Sequence, residues 1–408
     1  MNCRFCQNKL THQFVDLGFS PPSNSFLKPE QLNQPETFYP LRIMVCEKCY
    51  LVQIDEFASH EDIFNSDYVY FSSFSKSWLE HAKKYTEMMI ERFKFDDQSQ
   101  VIEIASNDGY LLQYFQQKGI SVLGIEPTSN TAAAAKEKGI DSIVDFFGVR
   151  LATKLSEKGT KADLLLGNNV LAHVPDIRDF VGGLKILLNS NGIITFEFPH
   201  LMQMIDKNQF DTIYHEHFSY LSLTTVSQIF NEFGLDIFDV EELPTHGGSL
   251  RIFAKHIENI SIPNSGHVLA MLEKENQFGL TTIETYTTYQ EASEKVKNDF
   301  LIFLLNAKNQ GKKVAAYGAA AKGVTLLNFC GVRKDLINFV VDASPHKQSK
   351  FLPGIHVPVV SEEEISKNKP DYVVILPWNL KEEISAQLSY VRSWDAKFVV
   401  AVPKLEIF

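Results

Sequence analysis

Val101-Ile-Glu-Ile-Ala-Ser-Asn-Asp-Gly-Tyr-Leu-Leu-Gln-Tyr114 passes from an apolar, strand-like run through a polar turn into the start of a helix. The turn carries Asn107, Asp108 and Gly109, at the place where doubly wound α/β sheets bind nucleotide-like ligands. It is not G-x-G-x-x-G, so a pyrophosphate cradle is poorly supported. The next apolar run, 122–125, ends on Glu126, and an acidic residue there can accept both hydroxyls of a ribose. A cationic sulfonium ligand tolerates acidic turns that would repel a dinucleotide phosphate. The competing structural reading is that Asp108 and Glu126 only cap the helices that follow them.

Working outward, strand-like runs at 101–105, 122–125, 142–147, 162–170, 192–198, 235–240 and 249–254 alternate with helical segments. That alternation predicts an α/β domain with a largely parallel, doubly wound sheet and helices on both faces. The connection at 241–249 is too short for a parallel return, so the last two runs are expected to be antiparallel. Upstream, Trp78, Ala82, Tyr85, Met89 and Phe93 recur at helical spacing, predicting an amphipathic helix over about 75–98. Downstream, Pro263 and Gly266 punctuate the chain, and a long helical stretch follows at about 280–310. A second α/β pattern then has strands expected at 314–317, 337–341, 372–376 and 397–402. Its first turn, Val314-Ala-Ala-Tyr-Gly-Ala-Ala-Ala-Lys-Gly323, carries an incomplete glycine fingerprint. Free N–H groups there suit a phosphate, and Lys322 adds a charge. A nucleotide site, a structural lobe and a true NAD site all remain open on these residues.

The N-terminal stretch has little helical periodicity but two C-x-x-C pairs, Cys3 with Cys6 and Cys46 with Cys49. Two such knuckles are the spacing of a tetrahedral four-cysteine zinc site, closed to water and therefore structural; a redox couple is the alternative for either pair alone. A small ribbon-like fold is expected around the turn-rich run 18–25. Cys330 has no partner in the pattern and reads as an ordinary buried thiol. Three modules follow: 1–74 for zinc, 75–265 for the first α/β domain, and 266–408 for a Rossmann-like domain. The 408 residues carry a formal net charge of −11, which does not suggest a nucleic-acid groove. No apolar leader or membrane-length run is seen, so a cytoplasmic protein without a membrane partner is expected. No obligate protein partner is evident.

The chemistry concentrates in Asp211-Thr-Ile-Tyr-His-Glu-His-Phe-Ser-Tyr220. Tyr214, His215, Glu216 and His217 are consecutive ionisable residues, poor material for a core. A histidine here can take a proton near neutrality, a carboxylate can orient it, and a tyrosine hydroxyl can donate to a developing oxyanion. A metal site or a purely structural polar cluster are the alternatives.

Glu103-x-x-Ser-Asn-Asp-Gly-Tyr110 followed by Glu126-Pro127 resembles motifs I and II of class I S-adenosylmethionine-dependent methyltransferases, although that family has glycine where Ala105 and Ser106 stand. The resemblance implies cofactor contacts at Glu103, Ser106, Asn107, Asp108, Gly109, Glu126, Asp145, Phe146 and Asn168, with Asn169 adjacent. Together, the four-cysteine module, Tyr-His-Glu-His-Phe-Ser-Tyr220, Thr245-His-Gly-Gly-Ser-Leu-Arg251 and the C-terminal domain resemble, over essentially the full chain, the nucleotide-sugar C-methyltransferases. These include the C-3′-methyltransferases of 4-keto-deoxysugars. The resemblance implies that His217 is the base, with Tyr214, Glu216 and an N-terminal tyrosine beside it. That tyrosine falls on Tyr68, with Tyr70 as the alternate and a substrate contact. It further implies a nucleotide-sugar substrate bound partly by the C-terminal domain, with Lys322, His246 and Gly247 near it. The ketone at C-4 acidifies the C-3 proton, His217 removes it, and Tyr214 or His246 donates to the enolate oxygen. The competing functions are O- or N-methylation of a sugar metabolite, and a non-catalytic zinc protein on a methyltransferase scaffold.

Overall fold

The computed structural model describes residues 1–57 and 71–408. Tyr68 and Tyr70 lie outside the described residues.

The N-terminal module is an antiparallel sheet of β1 (His12–Ser20), β2 (Tyr39–Val45) and β3 (Val52–Ile54). Gly18 to Ser20, read from sequence as turn, belong to β1, which is bent by register shifts between Gln13 and Val15 and between Asp16 and Phe19. The helix expected over 75–98 runs Lys76–Phe93. The Ser75 hydroxyl accepts from Trp78 N–H at its start, and Lys94 in the left-handed region (φ 58°) ends it early. Such a residue turns the chain out of the helix.

The second sheet contains β4 (Gln100–Ile104), β5 (Ser121–Ile125), β6 (Ser142–Ile143), β7 (Ala162–Asn168), β8 (Leu188–Pro199), β10 (Leu235–Leu243) and β11 (Ser249–His256). Its order is β10-β11-β8-β7-β4-β5-β6. The β4, β5, β6, β7 and β8 pairings are parallel. β11 is antiparallel to both β10 and β8, as the short 241–249 connection requires. Ser249 lies opposite Pro199, so the turn between β10 and β11 hangs over the ligand end of β8.

The sequence does not announce β9 (Ser219–Tyr220), which leaves this domain and pairs with β3 of the zinc module, Val52 opposite Tyr220 and Gln53 opposite Ser219. The chain carrying Tyr214 to His217 is therefore tied into the N-terminal sheet.

Helices Gly266–Phe278, Glu284–Thr287 and Tyr289–Asn309 lead to the third sheet. It comprises β12 (Val314–Tyr317), β13 (Val340–Val341), β14 (Val359–Val360), β15 (Tyr372–Ile375), β16 (Lys397–Val400) and β17 (Glu406–Ile407), ordered β14-β13-β12-β15-β16-β17. All neighbours are parallel except β16 with β17. The two-residue strands β14 and β17 are too short to leave a periodic signal. One apolar core runs from Phe14 and Ile43 of the first module through Tyr286 and Tyr289 into β12 and β15. A second joins Cys46 and Leu51 to the inner face of β8 and β11. The zinc module is thus wedged between the two α/β domains. No helix among the described residues is long and apolar enough to cross a membrane.

Candidate active site

A cavity of about 880 Å³ opens at the ligand end of the second sheet. Its walls come from the turns after β4, β5 and β7, from Tyr214, Glu216 and His217, from His246, and from Lys322 and Asn379 of the C-terminal domain. Asn24 of the zinc module also reaches it.

On the first wall, Ala105 and Asn107 hold φ of 55° and 50°, a left-handed backbone that glycine adopts most readily; of the two positions where the methyltransferase motif has glycine, Ala105 is the one that needs it. Gly124 of β5 provides the missing room, since a Cβ there would stand 2.4 Å from Ser106 Oγ. Asn107, Glu126, Asp145, Phe146 and Asn168 all line the cavity. Glu103, Ser106, Asp108 and Gly109 sit behind this wall. Asp108 Oδ2 accepts from Ser73 N–H and pairs with Lys138 at 3.2 Å. Gly109 (φ 73°) keeps clear of Ile140, which a Cβ would meet at 2.7 Å. Burial holds the Glu103 carboxyl well above the usual carboxylate range.

Glu126 Oε1 accepts from the N–H and hydroxyl of Thr128, while Oε2 accepts the Asn107 N–H at 2.8 Å. One lone pair of Oε2 is left for a ligand, fewer than acceptance of both ribose hydroxyls needs. Asp145 is held by Arg150 at 2.7 and 2.8 Å. Asn168 Nδ2 and Asn169 Oδ1, both buried, have no hydrogen-bond partner among the described residues. Buried amides of this kind are normally satisfied, and here both residues line the cavity beside Phe146, Phe147 and Leu151. Orphaned polar atoms next to an apolar slot fit a ligand such as S-adenosylmethionine, with a flat base and polar ends.

The second wall is the Tyr214 to His217 loop. His217 Nδ1 lies 2.8 Å from the carbonyl oxygen of Thr212. A carbonyl only accepts, so Nδ1 carries the proton and Nε2 the lone pair. Burial, and then the neighbouring His173, hold the imidazole well below its ordinary pKa, so it is neutral at neutral pH. Tyr214 lies against it with ring centroids 4.0 Å apart, and His173 crosses it edge-on at 4.6 Å. His215, two positions earlier, faces the other way, with Nε2 3.2 Å from the Pro40 carbonyl of β2. Glu216 is buried, and burial lifts its carboxyl to about 7 against the hydrogen bond from Asn24.

The third wall is built on Glu197 at the end of β8. Its Oε2 meets His81 at 2.7 Å and Arg251 at 2.9 Å, and its Oε1 accepts from the Thr245 hydroxyl at 2.7 Å. Burial alone would raise this carboxyl; these partners outweigh it and hold it at about 2. His81 stacks on Trp78, whose edge meets His246 at 5.3 Å. His246 has φ 55° and a buried Nδ1 without a partner among the described residues, and burial pushes its pKa down to about 4. Gly247 lies outside the lining. Its φ of 90° and the Trp378 ring, 2.4 Å from where a Cβ would stand, restrict this position beside His246 to glycine.

The fourth wall belongs to the C-terminal domain. Lys322 lies 3.2 Å from Asn379 Oδ1 and over the Trp378 ring at 4.7 Å. Trp378 Nε1–H donates to Asp211, which is buried and raised to about 6. Lys347, held by the Ala319 carbonyl at 2.9 Å, also faces the cavity. The sequence reading did not weigh Asn24, His81, His173, Glu197 or Asn379. Only Glu197 had a local signal, as the one charge in the buried run 193–198.

Away from the cavity, Cys3, Cys6, Cys46 and Cys49 bring their sulfurs within 4.8 Å of one another, with Cys3–Cys49 and Cys6–Cys46 both 3.5 Å apart. Zinc–sulfur bonds of about 2.3 Å place tetrahedral sulfurs about 3.8 Å apart, so the donor set fits a closed zinc site. Among the described residues no other such cluster of potential ligands occurs, and His215 and His217 belong to none there. Cys330 is buried, and burial pushes its thiol up to about 12.

Three family models match in sequence: a "Putative zinc binding domain" at 3–64, a methyltransferase domain at 78–240 and a C-methyltransferase C-terminal domain at 244–403. C-methyltransferase NovU of Streptomyces niveus is 32% identical over 402 residues, covering 98% of this chain and 95% of NovU. A ubiquinone biosynthesis O-methyltransferase of Bartonella quintana is 25% identical over 95 residues, 23% of this chain and 38% of the relative. Among solved structures, magnesium protoporphyrin IX methyltransferase from Synechocystis is 14% identical, covering 43% of this chain and 78% of its own, with a TM-score of 0.33. The CcbJ methyltransferase of Streptomyces caelestis is 11% identical, covering 43% and 89%, with a TM-score of 0.35. With the likeness to NovU running nearly end to end, and with a zinc-type cysteine cluster, a methyltransferase domain and a C-methyltransferase C-terminal domain in one chain, this protein belongs to the C-methyltransferase family.

Proposed function

We propose that the protein is an S-adenosylmethionine-dependent C-methyltransferase that methylates C-3 of a nucleotide-linked 4-keto-6-deoxyhexose. The observation that carries the reading is the tautomer of His217: a backbone carbonyl fixes the proton on Nδ1 and leaves Nε2 free to act as a base at the cavity wall. Proton abstraction from carbon beside a ketone needs such a neutral, oriented base.

In this reading Lys322 and Lys347 hold the diphosphate of the sugar nucleotide, and the orphaned Asn168 and Asn169 amides hold the methyl donor. His217 takes the C-3 proton, and the Thr212 carbonyl steadies the imidazolium that forms. Tyr214 or His246 donates to the enolate oxygen, so that negative charge develops against a fixed donor. S-adenosylmethionine, when bound, supplies the electrophilic methyl group. The cavity walls exclude water and hold carbon and methyl donor together, which is a large part of the acceleration. The zinc has a structural part, and the module boundaries at 1–74, 75–265 and 266–408 assign metal, methyl donor and nucleotide to successive segments.

The test is incubation with thymidine-, guanosine- and cytidine-diphospho-4-keto-6-deoxyhexoses in deuterated water, with and without S-adenosylmethionine. Deuterium at C-3 without the donor, and a methyl at C-3 with it, are expected. Methylation at oxygen or nitrogen without C–H exchange would overturn the reading.

A further inference from the structure

Asn24 is a polar group of the zinc module that reaches the Tyr214 to His217 loop. Its side-chain Nδ2 donates to Glu216 Oε1 at 2.6 Å across 192 positions of sequence. Both residues line the cavity. The bond engages Oε1 of a carboxyl next in sequence to His217, which also lines the cavity.

The turn carrying Asn24 is rigid for identifiable reasons. Ser25 N–H donates to the Pro22 carbonyl and Phe26 N–H to the Asn24 carbonyl. Pro21 packs against Gly354, where a Cβ would stand 3.0 Å from its ring. Leu27 and Phe351 exchange backbone hydrogen bonds at 3.0 and 2.8 Å. Glu36 accepts from Gly354 N–H and meets His356 Nε2 at 3.0 Å. The amide is therefore fixed by the zinc module and the C-terminal domain together, while the carboxyl it holds belongs to the methyltransferase domain.

We infer that Asn24 is a positioning residue for proton abstraction: its amide fixes Glu216 Oε1 and so sets the Glu216–His217 turn in its working geometry. This rests on the proposed C-3 deprotonation. A hydrogen bond of this length to a carboxylate is among the stronger kinds, and it is the interaction that opposes burial in setting the Glu216 carboxyl at about 7. Removing it takes away the hydrogen bond that opposes burial at this carboxyl, which favours the protonated form.

The experiment measures C-3 exchange in deuterated water against pH for the wild-type protein, Asn24→Ala and Asn24→Asp, with zinc content and melting temperature in parallel. Asn24→Ala is expected to lower the maximal exchange rate about 10- to 100-fold and to move the limb reporting Glu216 to higher pH. Asn24→Asp, which sets a second carboxyl against the first, is expected to move it further. Zinc content stays at wild-type level in both. Asn24→Gln, with the same donor on a longer arm, is expected to recover part of the rate. Variants with lower stability but unchanged rate and pH limb would make Asn24 merely structural and overturn the inference. If Asn24→Ala does not fold, the near-isosteric Asn24→Asp decides alone by the same criterion. Absence of exchange by the wild-type protein on every keto sugar would remove the proposed function and this inference together. Exchange by the wild type with an unmoved variant removes the inference alone.

Discussion

Gln53 stands opposite Ser219 in the short pairing of β3 with β9, two residues beyond His217. Its side-chain Nε2 reaches Cys3 Sγ at 3.2 Å while its Oε1 accepts the Arg4 N–H at 2.8 Å. One buried residue thus ties the cysteine cluster to the strand that leaves the catalytic loop. Ile54 N–H donates to the Phe218 carbonyl, and Arg4 reaches the Ile54 and Pro175 carbonyls. Hydrogen bonds from outside the ligand set hold metal ligands in place.

Zinc removal should therefore stop catalysis although the metal is remote from the chemistry. Chelation is expected to abolish C-3 exchange and methyl transfer, with zinc restoring both. Gln53→Leu should lower zinc affinity about 10- to 100-fold, the range for loss of such a partner. Competition with a chromophoric chelator measures it, and unchanged affinity would disconnect Gln53 from the metal.

His217→Asn preserves a donor toward Thr212 and removes the base. Exchange at C-3 should fall at least about 1,000-fold, beyond the 10²–10⁴ range for lost general-base catalysis only if other steps fail too. Because the folded imidazole titrates far below 6.5, it stays unprotonated as pH falls through 6.5. The acid-side limb of the wild-type rate should then lie near Glu216, at about 7. A limb that persists unchanged in Glu216→Gln would assign it elsewhere.

Asp211 bears on stability with a definite sign. Its folded pKa of about 6 is raised above the ordinary value, so the folded state binds more protons and loses stability as pH rises through this window. Asp211→Asn retains an acceptor for Trp378 Nε1–H and cannot ionise. Relative to wild type it should gain on the order of 1 kcal/mol between pH 5 and pH 7.5. Urea unfolding of both proteins at the two pH values measures this, and a pH-independent difference would be the contrary result.

Lys322 lines the cavity from the C-terminal domain, and in the proposed reading it binds the sugar nucleotide and not the methyl donor. Lys322→Met should raise KM for the sugar nucleotide at least about 10-fold and flatten its salt dependence, while calorimetric affinity for S-adenosylmethionine stays within about twofold. Equal losses for both ligands would instead indicate collapse of the Trp378 wall.

Elements whose cause is local are legible in the chain. The two C-x-x-C pairs select one another as ligands by spacing, and runs such as Val101 to Ile104 select strands by their apolar pattern. The short 241–249 connection forces an antiparallel pair, and four consecutive ionisable residues mark Tyr214 to His217 as a working loop. Tertiary structure decided what depends on direction and on distant neighbours. Asp108 and Gly109 share the turn of Asn107, yet only Asn107 lines the cavity, because the others turn toward Lys138 and Ile140. His215 and His217 have the same chemistry in sequence. One meets the Pro40 carbonyl of the zinc module and the other the Thr212 carbonyl beside the cavity, and only the second lines the cavity, where the proposed reading makes it the base. Asn24 had no motif to identify it, since its partner lies in another domain and a hydrogen bond between separate modules leaves no periodic trace in the chain.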